Sequence, residues 1–428
     1  MRIEGIILVD VLLAMSLAAF FVAIFSSAFY SVEHSFERAH ERMSALVTGD
    51  TEPTSPSLPI YVPVSNMPIC STDFTGSTST LLLAPSPMVK IIHLPISSTI
   101  PLTHLEVRKD MAFISGDSSI ASDPDLFVVD IGGSWQTGIV SSEAPTSSLV
   151  SSIDTGPGIS SFALVGKRIF ASAASAAAQL HVVSFIGTSS PTQPLIEDKY
   201  KLPLPYATAT PPYATAISFE LDKSVAEIYL GTEKWDGDEF STIDVSRPSS
   251  PVWRSGLDID SKVNDITVAS GTAYISNANQ NQLIQADANT WVGFSPSGWL
   301  RQEGEVASLY NGRIVFGRTS GGYDISTDHE LFSWATTTTI VANNAPSISG
   351  NFSSKNIPGG VYGIVQDQKL IYVITHQTGK EFQVLDTTLS TSMAFSLPSQ
   401  PKSMTCDGDT IYVLSRTSSD IYAITFHD

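Results

Sequence analysis

Two patterns of apolar residues divide the chain. Residues 11–31 contain no charge, and the run VLLAMSLAAFFVAIFSSAFYS is mostly Leu, Ala, Phe, Val and Ile. At 1.5 Å per residue, such a run is long enough to cross a bilayer core of about 30 Å. Residues 32–46 are polar and hold no Pro or Gly. The pattern therefore predicts one helix from about Ile6 to Val47, roughly 60 Å long if continuous. Residues 49–63 (GDTEPTSPSLPIYVP) carry four prolines, which break a helix and favour extended backbone.

Beyond residue 80 the period changes to two-fold alternation or short apolar runs, punctuated by turn residues. One unit recurs: an apolar strand, a turn with Gly, Asp or Lys, a second strand with an aromatic or Val, a loop, and a third strand often ending in Asp. It begins at Leu105 (LEVRKDMAFISG), Phe162, Ile217, Ile266, Ala307, Tyr362 and Met404 (MTCDGDTIYVL). Anchored on Phe113, Phe170, Tyr229, Tyr274, Val315, Tyr372 and Tyr412, the repeat recurs every 40 to 60 residues or so, the period of a β-propeller blade. One small sheet cannot bury both its faces, so neighbouring repeats must cover it.

The expected fold class is mainly β. A β-propeller at 81–428 follows one long N-terminal hydrophobic α-helix at 6–47 and a Pro/Ser/Thr-rich linker at 48–80. Seven instances predict seven blades, with six or eight as alternatives. A β-sandwich pair or a β-helix is the reading outside the propeller class. Strands near 81–83 and 89–94 are expected to complete the blade that holds 411–414 and 421–425.

Charge narrows the partners. The chain has 42 Asp+Glu against 23 Lys+Arg, a net charge of −19. A nucleic-acid partner is thereby excluded, because displacing counterions from phosphates needs basic surface. Two cysteines rule out a disulfide-dense scaffold and a four-cysteine zinc site. Cys70 and Cys406 lie near opposite ends of the expected ring. Outside the cytoplasm they suggest a ring-closing disulfide, the alternative being two buried thiols.

The stretch Gly5-Ile6-Ile7-Leu8-Val9-Asp10-Val11-Leu12-Leu13-Ala14 resembles the class III signal of type IV prepilins and pseudopilins. The resemblance implies that Gly5 ends a leader of residues 1–5, cut by a prepilin peptidase. Ile6 becomes a methylated N-terminus, and Asp10 is the acidic fifth mature residue that pairs with the amino terminus of a neighbouring subunit. The membrane and other pilin or pseudopilin subunits are the implied partners. The chain departs from the family in having Asp rather than Glu at that position, Glu4 beside the cut and Arg2 as the leader's one basic residue. A plain membrane anchor and a cleaved secretory signal are the competing readings. Separately, the stretch from Phe240 (FSTIDVSRPSSPVWRSGLDIDSKVNDITVASGTAYIS) resembles the LVIVD-type propeller repeat.

Catalytic signatures are lacking. No G-x-S-x-G elbow, H-E-x-x-H or P-loop occurs. Eight histidines are scattered without ligand spacing. Asp236-Gly237-Asp238-Glu239 has a calcium-like composition without calcium-loop spacing, and reads as a solvated loop. Asp123-Pro124-Asp125 and Asp407-Gly408-Asp409 read as turns. Residues 171–178 (ASAASAAA) read as an insert between strands, either a loop or a short helix. Trp135, Trp253, Trp291, Trp299 and Trp334 are expected in or near inter-strand loops. No catalytic residue, metal or cofactor is expected.

The functional expectation is a pilin-like surface protein of the bacterial cell envelope. The bulk of the head points to a minor or tip subunit, with the propeller serving adhesion or recognition of an unidentified extracellular protein or glycan. The alternatives are a membrane-anchored propeller scaffold outside any filament and a propeller hydrolase or lyase.

Overall fold

The seven aromatic or Val anchors occupy one register position in seven antiparallel sheets, each on the second strand of its sheet. The computed structural model describes residues 87–426 apart from 109–110, 118–122, 132–146, 157, 186–193, 206–211, 223–224, 270, 279–282, 287–290, 295–303, 311–312, 320–330, 336–352, 368–369 and 409. All of these described residues belong to one unit of the chain, Pro63–Asp428. They form seven four-stranded sheets and no helix.

Second strands such as Thr272–Asn277, Leu370–Thr375 and Thr410–Ser415 are buried at every position. Both faces of each are covered, so the strand reads as a continuous apolar run rather than an alternating one. The core lies between the sheets. Tyr229 and Phe240 of the third blade pack with Ile266 and Ile275 of the fourth. Tyr372 and Phe382 of the sixth pack with Ile411 and Val413 of the seventh. Each such side chain stabilises the fold by about 1.5–3 kcal/mol when fully buried, and the neighbouring blade is what buries it.

The first strand of each blade lies innermost: Leu102–Arg108, Ile159–Val165, Ala214–Asp222, Val263–Ala269, Gly304–Tyr310, Val361–Gln366 and Pro401–Asp407. Each contacts the first strand of the next blade, and the seventh contacts the first, so the ring is closed. Closure uses both ends of the described chain. Met88–His93 adds to the seventh blade as its outermost strand, running antiparallel to Asp420–Thr425 from Met88↔Thr425 to His93↔Asp420. His93 Nδ1 and Asp420 Oδ1 meet at 2.7 Å at that end. The closing strand is the one expected around 89–94; residues 81–83 lie outside the described residues. Asp407 pairs with Thr410, so Gly408 is the first residue of the two-residue hairpin turn between them, and it takes a φ of 61°, the left-handed conformation such turns favour.

One expectation about the elements is corrected. Residues 171–173 are not an insert: they end the strand Arg168–Ala173, with Ala171 and Ala173 fully buried. The segment that follows, up to the strand Leu180–Phe185, is a short bend without helix. Trp253, Trp291 and Trp334 stand on strands, each at or one residue from a strand end and so near an inter-strand loop, as expected; Trp135 and Trp299 lie outside the described residues. Among the described residues no helix is long and apolar enough to cross a membrane. The helix expected at 6–47 lies outside them.

Candidate ligand site at the channel mouth

Every inner strand carries the same irregularity near its start. The register with the second strand skips one residue in each blade. The residue before the skip is buried in all seven blades: Leu102, Ile159, Ala214 and Val263, then Gly304, Val361 and Pro401. The skipped residue is a bulge, which re-aims its side chain. In blades one to four it is Thr103, Ser160, Thr215 or Asn264; in blades five to seven it is Glu305, Tyr362 or Lys402. These residues line one mouth of the central channel, a cavity of about 670 Å³ to which all seven inner strands contribute.

The first four bulges make one repeated contact. Thr103 Oγ1 donates to the Ile159 carbonyl at 2.6 Å and Ser160 Oγ to the Ala214 carbonyl at 2.9 Å. Thr215 Oγ1 donates to the Val263 carbonyl at 2.5 Å and Asn264 Nδ2 to the Gly304 carbonyl at 2.7 Å. Each acceptor is the residue just before the bulge of the next blade. The result is a belt of hydrogen bonds around the mouth.

At the fifth blade the belt stops, because a carboxylate such as Glu305 has no hydrogen to donate. In the sixth, His376 takes over the link: its Nε2 lies 3.0 Å from the Pro401 carbonyl, so that nitrogen carries the hydrogen. Tyr362 stacks on His376 with ring centroids 3.6 Å apart, and its hydroxyl makes no hydrogen bond among the described residues. In the seventh blade Lys402 makes neither a hydrogen bond nor an ion pair among the described residues.

The electrostatics follow from this layout. Protein crowds the Lys402 ammonium on most sides although solvent reaches it. Desolvation lowers its pKa, the Glu305 carboxylate opposes that, and the Arg416 and Lys262 charges lower it further. Burial raises the Tyr362 pKa, with Glu305 adding to the rise. Burial also holds His376 below the usual histidine range. His104, one residue past the first bulge, is lowered to about 4 by burial and by Lys402, so it is neutral. It meets Phe162 edge-on. Asp265 is raised to about 6 by burial and accepts from the Ala307 N–H at 3.0 Å, tying blade four to blade five.

Of the residues singled out by sequence, Gly5, Ile6, Asp10 and Cys70 lie outside the described residues. Cys406 stands on the inner strand of the seventh blade, 1% exposed, and is not a free thiol. It belongs to the core between the sixth and seventh blades, not to the channel mouth. Among the described residues no group of three or more His, Cys, Asp or Glu could hold a metal ion.

The acidic clusters are not all solvated loops and turns. Glu239 is fully buried. Its Oε2 accepts from the Ile259 and Asp260 N–H groups at 2.9 and 3.1 Å, and its Oε1 from the Trp235 N–H at 3.3 Å. Asp125, also fully buried, accepts from the Thr155 N–H and hydroxyl at 2.9 and 2.8 Å. Each directly precedes the third strand of its blade and holds the loop that leaves the fourth. Neither the belt nor these clamps follows a linear motif. The one signal in the sequence is an apolar or small residue followed by a polar one at each inner-strand start.

The fold and the channel define a seven-bladed β-propeller with an open, polar mouth. No protein-family model and no curated protein sequence matches the chain. Solved structures do share the fold. A catalytically inactive virginiamycin B lyase from Staphylococcus aureus with quinupristin is similar over 80% of this chain and 100% of its own, with TM-score 0.56 and 11% identity. A streptogramin B lyase structure is similar over 80% and 98%, with TM-score 0.55 and 11% identity. Raptor from Chaetomium thermophilum is similar over 81% of this chain and 29% of its own, with TM-score 0.53 and 10% identity. At such identities the likeness is one of fold.

Proposed function

We propose that the chain is a pilin-like surface protein, a minor or tip subunit, whose propeller head recognises an extracellular ligand at the channel mouth. The observation that carries the anchoring half is the spacing Gly5-Ile6…Asp10 ahead of the uncharged run 11–31. Cleavage after Gly5 makes Asp10 the fifth residue of the mature chain. Placed among the apolar helices of a filament, that carboxylate needs a cation, and a neighbouring N-terminal ammonium supplies one.

The recognition half is supported by the break in the belt. Four bulges spend their side chains on joining blades, while the side chains of Tyr362 and Lys402 make no such bond among the described residues. Binding rather than turnover is the reading here. Among the described residues no Ser, Thr or Cys side chain hydrogen-bonds a histidine ring nitrogen, the arrangement that activates such a nucleophile; the Ser147 hydroxyl meets only the His93 backbone carbonyl. A catalytic reading of the same mouth has in its favour the lowered pKa of Lys402 in a cavity that Tyr362 also lines.

The test is the N-terminus of the membrane-extracted protein, determined by mass spectrometry in cells with and without prepilin peptidase. A chain beginning at methylated Ile6 only when the peptidase is present is the expected result. A chain that keeps Met1–Gly5 in both cells overturns the pilin reading and leaves an anchored propeller scaffold.

A further inference from the structure

The recognition reading leaves the chemistry of the ligand open, and the mouth constrains it in three ways. The first is the direction of its hydrogen bonds. A serine or threonine hydroxyl has one hydrogen and two lone pairs. Ser160 and Thr215 commit that hydrogen to the next blade's carbonyl. Asn264 commits its amide nitrogen in the same way and keeps its oxygen as an acceptor. All three line the cavity and stand on consecutive blades, two to four. They form one arc of lone pairs, which calls for a ligand rich in hydroxyl donors.

The second constraint is charge. Among the described residues the lining holds four carboxylates, Asp117, Glu233, Asp265 and Glu305, against the ammonium groups of Lys262 and Lys402. In a chain of net charge −19, such a mouth repels an anion. A cation gains little from it either, because three of the four carboxylates are engaged. Glu233 is paired with Lys262 at 3.1 Å. Asp265 accepts from the Ile266 and Ala307 N–H groups at 2.9 and 3.0 Å. The Glu305 charge bears on Lys402. A neutral ligand meets neither obstacle.

The third constraint is a pair of aromatic rings. Tyr213 directly precedes the inner strand of blade three, lines the cavity and is 53% exposed. Its backbone is held in place: the Glu233 N–H donates to the Tyr213 carbonyl at 2.9 Å, and the Gln179 amide to the Pro212 carbonyl at 3.1 Å. Tyr362, backed by His376, stands on blade six. Blade six is three blades from blade three one way round and four the other, so the two rings lie on nearly opposite sides of the mouth. A ring already held in position offers apolar surface at little ordering cost. A sugar ring suits both features, since it carries C–H faces and a rim of hydroxyls. An apolar ligand uses the rings and leaves the arc unmet; an open-chain polyol does the reverse. The cavity, about 670 Å³, is of ordinary size for a small-molecule site.

We propose that the channel mouth binds a neutral saccharide, its ring stacked on Tyr213 and its hydroxyls donating to the arc of Ser160, Thr215 and Asn264, with Tyr362 bounding the opposite side. This rests on the recognition half of the function proposed above and is independent of the anchoring half.

The experiment uses the full chain in a detergent that carries no sugar. It is applied to an array of neutral oligosaccharides beside uronic-acid, sialylated and amino-sugar ones. The best binder is then titrated by calorimetry into wild type, Tyr213→Ala, Tyr213→Phe and Ser218→Trp, the last of which puts bulk into the cavity that Ser218 lines. The expected result is retention of neutral glycans over charged ones. Tyr213→Ala loses about tenfold in affinity, while Tyr213→Phe, which keeps the ring, stays within about threefold of wild type. The thermal midpoints of both stay unchanged, because the Tyr213 side chain is exposed and makes no hydrogen bond among the described residues. An array that retains no neutral glycan, equal or better retention of charged ones, or affinity that survives Tyr213→Ala overturns the assignment. Charged glycans whose binding Tyr213→Ala or Ser218→Trp abolishes overturn the neutral ligand yet leave recognition at the mouth standing. Binding that survives both Tyr213→Ala and Ser218→Trp overturns recognition at the mouth as well, so the two ideas fail separately.

Discussion

Glu239 shows how much a single side chain decides in this protein. In sequence it ends an acidic loop; in the fold it is fully buried and gathers three backbone N–H groups from two loops. Burial raises its pKa to about 7, against 4.5 for an ordinary glutamate. The folded state therefore binds a proton more tightly than the unfolded chain. Its contribution is fully present below pH 4.5 and is lost as the pH rises through about 7. Glu106, raised to about 7 by burial, and Asp125 and Asp265, raised to about 6, act in the same direction. His104 and His181, lowered to about 4 by burial, act oppositely: their contribution is present above 6.5 and is lost as the pH falls through about 4. Glu239→Gln is expected to flatten the fall in stability between pH 5 and pH 8, measured as the denaturant midpoint at each pH. An unchanged slope would show that Glu239 does not titrate in that window. Glu239→Ala leaves the N–H groups of Ile259 and Asp260 without their acceptor and is expected to cost about 1–3 kcal/mol.

At the scale of the strand, the bulge is the device that turns a repeat into a ring with a site. In each blade it separates a buried residue from a neighbour aimed at the mouth. The buried residue packs tightly where the facing strand is small. A Cβ on Gly231 would lie 2.3 Å from Val263 Cγ1, and one on Gly317 would lie 2.5 Å from Val361 Cγ1. The neighbour joins blades in the first four repeats. Thr215→Val removes the bond to the Val263 carbonyl and is expected to lower stability by about 1–3 kcal/mol. Tyr362→Phe removes a hydroxyl that joins no blades and is expected to change stability by less than about 0.5 kcal/mol. His376→Ala breaks the link to Pro401 and is expected to behave like Thr215→Val. Denaturant midpoints for the three variants check the pattern. Similar losses in Thr215→Val and Tyr362→Phe would contradict the division of the belt into joining and non-joining bulges.

At the scale of the whole molecule, closure is the event on which the rest depends. Met88–His93 completes the blade built by the chain's last strands, so the ring has no loose seventh sheet. Pairing of Cys70 with Cys406 would tie the same two ends. The loop so closed is longer than 300 residues, for which chain-entropy models give about 6 kcal/mol. Denatured, unreduced protein is expected to show no free thiol in a thiol titration, and Cys70→Ser to show one and a lower denaturation midpoint. Two free thiols in the unreduced wild type would sink the pairing.

The seven repeats, their anchors and the closing strand were all legible along the chain. A strand covered on both faces must be largely apolar, and that requirement recurs once per blade wherever the sheets stack. The fourth strands were not legible, because Ser148–Ile153 and Pro194–Tyr200 are half-exposed and mix polar with apolar residues without a steady period. The bulges, the belt, the buried acids and the mouth were also hidden. Each depends on residues far apart in sequence, such as Ser160 and Ala214, which are 54 positions apart, or Asn264 and Gly304, which are 40 apart. A polar residue on a strand looks the same in sequence whether it meets water, a neighbour's carbonyl or a ligand. The closed ring settles which of these each one meets, because it alone sets the distance between one blade and the next.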